Sequence, residues 1–192
     1  YLINNDLFQE YKVYRFDSAL HYVYANLQLS EAAQNSTWIE ETKLNLSSIL
    51  TSTGMYKESI ENLNSIDTKT LHHTSSNDYL LEKGLIYIQE GNLQKAKEIY
   101  QDLCFNRLKP GTSIYAKATA TLANIYDKKG EKNLQIRYLI ESAMTDIQAV
   151  VKENVSLTNL AVELYREEEI ERANRYIEYA LADANFYNAR QR

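Results

Sequence analysis

The sequence predicts an all-α fold, a row of about nine to ten antiparallel helices stacked as hairpins. Three observations carry this. One proline and five glycines among 192 residues leave few places for a helix to break. Across Asp78–Leu103 the apolar residues fall at Leu80, Leu81, Leu85 and Ile88, then at Leu93, Ala96, Ile99, Tyr100 and Leu103, the spacing of amphipathic helices. Between the two sets lies Glu90-Gly91-Asn92, whose glycine can take the left-handed conformation that ends a helix. Two helices joined by so short a turn run antiparallel. The third observation is a period. The small packing position of each second helix reads Ala19, Ser59, Ala96, Gln135 and Ala173, with successive spacings of 40, 37, 39 and 38 residues. A near-constant step is the mark of a solenoid, in which each helix pair buries its open face on the next.

Taken in order, residues 1–14 carry an apolar face of Leu2, Leu7, Phe8 and Tyr11 and read as the remnant of a first helix whose start is cut away. Arg15-Phe16-Asp17-Ser18-Ala19-Leu20 opens a second helix that ends near Ser30. Ser36 or Thr37 can cap the next, with Glu40 closing a capping box from Thr37. That helix carries Trp38, Leu44, Leu46, Ile49 and Leu50 to about Thr53, and Gly54 turns the chain into a partner ending near Ile66. Asp67 to Asn77 is the longest polar connection and holds His72 and His73. After the Asp78–Leu103 pair, Lys109-Pro110-Gly111-Thr112 is a break. Ser113 to Lys129 and Lys132 to Val150 form the next pair around Gly130, and Val155 to Glu167 and Ile170 to about Tyr187 the last. Two positions depart from the period. Gln135 replaces the small residue, which should push its pair apart, and Glu168 replaces the turn glycine. The chain therefore divides as one repeat domain, 1–192, with a partial repeat over 1–33 and repeats over about 34–73, 74–109, 110–150 and 151–192.

Composition excludes several functions. A net charge of −5 argues against nucleic-acid binding, because phosphate contacts need clustered Lys and Arg. No run of about eighteen apolar residues is present, so no membrane span is expected within this stretch. The single cysteine, Cys104, sits beside Leu103 and Phe105 and reads as a buried, inert thiol. His72-His73 is the one pair that invites a metal, and the spacing of ligands around it gives a solvated loop instead; no metal and no cofactor is expected. His21 reads as an ordinary helical histidine. The run Arg166-Glu167-Glu168-Glu169 with Glu171-Arg172 reads as a solvated turn rather than an acid–base pair, since catalytic carboxylates share a dry pocket. No convergent nucleophile, base and stabilising donor are found, so the chain does not read as an enzyme. The sequons at Asn35, Asn45 and Asn154 fall in or beside helices and carry no meaning. Tyr87, Tyr100 and Tyr126 occupy positions between helices and read as core.

Gly84, Tyr87, Gly91, Ala96 and Tyr100 resemble the tetratricopeptide (TPR) repeat signature: a small residue, an aromatic, a turn glycine, an alanine and a second aromatic. That resemblance implies a right-handed α-α superhelix whose first helices line a concave groove. Gln89, Asn124, Asp127, Lys128, Tyr165 and Arg166 are then the candidate binding residues, facing a peptide or protein partner. The family's carboxylate clamp needs Lys and Asn at fixed first-helix positions, which here read Leu44 and Ser48, Leu81 and Leu85, Ala120 and Asn124, Thr158 and Val162. Only Asn124 fits, so an acidic C-terminal peptide tail is not the expected ligand.

Two further stretches, residues 15–25 and Glu168 to Ala182 with Asp183–Arg190, resemble a narrower group: the sensor part of gut-anaerobe-type single-chain bacterial membrane regulators. That resemblance implies repeats on the periplasmic side of the inner membrane, followed by a membrane helix, a coiled coil and a cytoplasmic DNA-binding output, so that the chain reads as a fragment of something longer. A cytoplasmic protein is the alternative location. The function implied is ligand sensing without catalysis, and the alternative is a static assembly adaptor. Homodimerisation is a further expectation, from Ile177, Leu181 and Phe186 on the last helix.

Overall fold

The computed structural model describes residues 1–12, 15–148 and 155–186, and for 183–186 the backbone. The described residues form ten α-helices and one π-helical turn, with no strand among them. They are α1 (Leu2–Tyr11), α2 (Phe16–Ala32), α3 (Ser36–Ser52), α4 (Tyr56–Asn64) and α5 (His73–Gln89), then α6 (Leu93–Asp102), α7 (Ser113–Lys128), α8 (Lys132–Gln148), α9 (Val155–Arg166) and α10 (Ile170–Phe186). The chain divides into two compact units, Tyr1–Asn92 and Leu93–Arg192. Asn154 and the stretch Tyr187–Arg190 lie outside the described residues, as does the side chain of Phe186.

The first unit packs α1 on α2, α2 on α3, and α3 on both α4 and α5. Ala19 is fully buried, which lets α2 approach closely enough for Phe8, Val23 and Ile49 to meet, with Tyr11 and Tyr22 stacked beside them. A second cluster joins Leu44, Leu63, Ile66 and Ile86. Ser59, at the small position of α4, is also fully buried; its hydroxyl lies 2.8 Å from Thr51 Oγ1 and donates to the Ser47 carbonyl at 3.1 Å. A serine can replace alanine there because its one polar atom finds partners inside the helix pair.

Local signals decide the helix ends, with three corrections. The cap of α3 is Asn35, whose Oδ1 accepts the Trp38 N–H at 3.1 Å, not Ser36 or Thr37. Glu40 does not close a capping box; it reaches the Asp67 N–H at 3.0 Å and Lys43 Nζ at 2.9 Å, fixing the loop after α4. That loop is also shorter than expected, because His72 caps α5 and His73 begins it. Both histidines are exposed, and the nearest acid to His72 is Glu41 at 3.8 Å. The turns behave as the sequence requires: Gly54, Gly91 and Gly130 have φ of +80°, +76° and +72°. Glu168 takes the same left-handed conformation at +63°, and Gln34 at +50°, each at a cost of about 1 kcal/mol that glycine avoids.

Glu82 on α5 is enclosed against α3, and its Oε2 is buried without a hydrogen-bond partner. Burial raises its pKa above the ordinary 4.5, against the opposing effect of the Ser48 and Thr51 hydroxyls. The folded chain then holds this proton more tightly than the unfolded chain does. Its contribution to stability is fully present below about pH 4.5 and is lost as pH rises through the elevated folded value. Glu82→Gln should therefore raise the melting temperature at about pH 7, by the equivalent of on the order of 1 kcal/mol, and leave it unchanged near pH 4. Calorimetry at the two pH values checks this; equal melting at neutral pH would show that the carboxylate is solvated.

The second unit packs α6 on α7, α7 on α8, α8 on α9 and α9 on α10. Tyr100, Leu103, Leu122 and Ile125 are fully buried, and Tyr126 stacks on Tyr138 at 5.4 Å between centroids. Tyr100 and Tyr126 are thus core residues as expected, while Tyr87 in the first unit is half-buried. Helix α6 runs on into a π-helical turn, Leu103–Arg107, closed by the Leu108 N–H to the Leu103 carbonyl at 2.8 Å. Cys104 lies buried in that turn, and burial with the nearby Glu141 charge pushes its thiol up to about 12. It is an inert thiol. Gln135 does not push α7 and α8 apart: Ser142 Oγ, one helix against the other, donates to the Ala116 carbonyl at 2.9 Å.

Candidate functional site

Helices α7, α8 and α9 enclose an open groove of about 450 Å³ in the second unit. The first helices of two successive pairs, α7 and α9, form its walls, and α8 closes the floor. Helical spacing puts the residues there: Ala120, Ala123, Asn124 and Asp127 share one face of α7, and Val155, Asn159, Val162, Glu163 and Arg166 one face of α9. Small side chains at Ala120 and Ala123 leave the width of the groove open. A smaller cavity of about 270 Å³ continues it along α7, sharing Ala120 and Val155 and ending at Ser113, Lys117 and Asp146.

Where α8 meets α9, the charged side chains pair with one another. Glu163 is only 9% exposed, and its Oε2 lies 3.3 Å from Lys132 Nζ while its Oε1 accepts from Arg166 and, at 3.4 Å, from Gln135 Nε2. Gln135 is itself buried. The residue that breaks the repeat pattern thus reaches across to the next pair and hydrogen-bonds a carboxylate that would otherwise have only cations around it. Lys132 also pairs with Glu167 at 3.2 Å, which together with Glu163 raises its pKa. The remaining polar lining differs: Asn124, Asn159 and Asp127 have side chains with no hydrogen-bond or ion-pair partner among the described residues, and each is exposed.

Of the six residues singled out on the sequence, the structure brings Asn124, Asp127 and Arg166 to this groove. Lys128 and Tyr165 are exposed on the same two helices but do not line it. Gln89 is exposed at the end of α5, in the first unit. Asn159, Gln135 and Glu163 were not singled out. The i, i+3, i+4, i+7 series Asn159, Val162, Glu163, Arg166 is the signal that carries two of them. Among the other clamp positions, Leu44 is core and Leu81 and Leu85 are half-buried, which leaves them unavailable to a ligand's carboxylate.

Elsewhere the described residues contain no group of three or more His, Cys, Asp or Glu that could hold a metal. None of their helices is long and apolar enough to cross a membrane. On α10, Ile177 is half-buried and Leu181 exposed.

A protein-family model described as the SusR N-terminal TPR domain matches residues 1–80 and again 71–192. No curated protein matches the chain. Among solved structures it is similar to the nearly identical TPR-like repeats described for a kinesin light chain of Podosopora anserina, with a TM-score of 0.63 at 16% identity over 97% of this chain and 95% of that one. It is also similar to MamA, with a TM-score of 0.56 at 20% identity over 91% and 92% of the two chains. BtubC (BKLC) from P. vanneervenii gives 0.59 at 18% identity, covering 91% of this chain and 74% of that one. At these identities the likeness shows a shared TPR-like fold and nothing of ligand.

Proposed function

Because the chain belongs to the SusR N-terminal TPR domain family, we propose that it is the recognition part of a single-chain transcriptional regulator and binds a peptide or protein signal in the α7–α8–α9 groove. A TPR domain is an interaction module, and families of this fold serve as scaffolds rather than catalysts. The single observation that carries the groove is the contrast between its paired charges and its unpaired carboxamides. The buried Glu163 is already paired with the exposed Lys132 and Arg166, while the Asn124 and Asn159 carboxamides, on the two facing first helices, have no partner among the described residues. A carboxamide both donates and accepts, which is what the main chain of an extended peptide needs on each side. The regulator would sit on the periplasmic side of the inner membrane, and its signal would act by binding one of two conformations more tightly than the other.

A thermal-shift screen of the chain against peptide and glycan pools from the bacterial envelope tests this. A ligand that binds only the folded state stabilises it by mass action, by about 2.7 kcal/mol at a hundredfold excess over Kd, and so raises the melting temperature. The expected result is a peptide hit that Asn124→Ala weakens. A glycan hit, or a peptide hit indifferent to Asn124, would sink the reading.

A static adaptor or homodimer is the second reading, and α8 favours it. Ile140, Met144 and Ile147 form an exposed apolar row at steps of four and three. Light scattering separates the two: a tight dimer that Met144→Glu dissociates, with no ligand from any pool, is the adaptor's signature.

A further inference from the structure

The charge left over in the groove indicates what kind of peptide it takes. Glu163 is answered by both Arg166 and Lys132, whereas Asp127 has no hydrogen-bond or ion-pair partner among the described residues. It also stands in the last turn of α7, at the negative end of the helix dipole, where a carboxylate is unfavourable by a few tenths of a kcal/mol. Lys128, its basic neighbour, does not line the groove. A carboxylate in this position is repelled by the helix end it sits on and pairs with no cation among the described residues. Both deficits would be relieved by one positive charge arriving from outside.

We infer that the groove binds an extended peptide segment carrying a lysine or arginine, with the cationic head held at Asp127 and the adjoining main chain held by Asn124 and Asn159. This rests on the peptide reading above and adds the ligand's charge. Asn124 lies one helical turn from Asp127, about 4.5 Å along α7, so main-chain and side-chain contacts can belong to neighbouring ligand residues. A metal ion is a poor alternative, because one free carboxylate falls well short of the six or more oxygens that a hard cation collects. Nucleic acid is worse, since the chain's net charge is −5 and the Asp127 carboxylate would repel phosphate.

The test uses three fluorescein-labelled octapeptide mixtures of the same neutral background, with one position fixed as Lys/Arg, as Asp/Glu or as Gln, titrated by fluorescence anisotropy. The Lys/Arg mixture should bind about tenfold more tightly than the Gln mixture, and the Asp/Glu mixture more weakly than either. Asp127→Asn should bring the Lys/Arg mixture down to the Gln level, and Asp127→Lys should move the preference to Asp/Glu. Asp127 is exposed, so both variants should melt close to the parent protein. A Gln mixture that binds and is lost on Asn124→Ala, with no Lys/Arg preference, would leave the peptide groove standing and overturn the charge assignment. A Lys/Arg preference that survives Asp127→Asn would overturn it too. If none of the three mixtures binds, both the groove and its charge preference fall together.

Discussion

Leu122→Ala should lower stability by about 3 kcal/mol, and with it the melting temperature by roughly 6–12 °C for a chain of this size. Leu122 is fully inaccessible on α7, the helix that α6, the π-helical turn and α8 all pack against. Truncation removes buried methyl groups and leaves a void whose lining is anchored from three directions. The structure can close that void only in part, so a cavity cost adds to the lost burial within the range of about 2–5 kcal/mol for such changes. Met144→Ala on α8 is the control: Met144 is 55% exposed, so the same kind of truncation should shift melting by no more than a degree or two. Urea melts of the two variants check the pair. Equal losses would mean that the core of the second unit is not where Leu122 lies.

The helices were legible because this chain states its period several times over. Apolar spacing placed all ten, most with ends within about two residues, and the turn residues set the breaks; α5 is the exception, starting at His73 rather than Asp78. Glu168 is informative here: nothing in its side chain favours a left-handed turn, yet its register in the repeat required one and the backbone adopts it. Misses came where the deciding partner lay far along the chain. Asn35, Ser36 and Thr37 can all cap a helix, and only the geometry selects Asn35. Glu40 fitted a capping box by spacing, but the Asp67 N–H, 27 residues away, claimed it. The π-helical turn left no trace, since one extra residue per turn keeps Leu103 and Leu108 apolar and buried without disturbing the pattern around them.

Half of the candidate site was legible for the same reason that the other half was not. Adjacent helical residues point about 100° apart, so a face assigned one residue wide of the mark misses. Asp127 lines the groove and Lys128 does not; Arg166 lines it and Tyr165 does not. Singling out both members of each pair on the sequence covered the face without resolving it. Asn159 was overlooked although it stands seven residues before Arg166 on the same face of α9. Gln135 was read only as a defect in the repeat. Its role requires Glu163, 28 residues on, and no local pattern links the two.

That link sets the second large effect. Glu163→Ala should cost about 2 kcal/mol, less than a typical broken buried ion pair, and the exposure of the partners decides the difference. Removing one member of a buried pair is most damaging when the other is left charged in a dry site. Here Lys132 and Arg166 are 45% and 62% exposed, so both cations can turn back to water once the carboxylate is gone. Gln135 cannot do so as easily, being 8% exposed, and a buried carboxamide that loses its partner costs about 1–3 kcal/mol. The loss is therefore expected to reside mainly in Gln135, and a double-mutant cycle isolates it. With Gln135→Ala already in place, Glu163→Ala should cost markedly less, giving a coupling of about 1 kcal/mol. Additive losses would mean that the two side chains act separately, and that the departure from a small residue at position 135 is tolerated rather than matched.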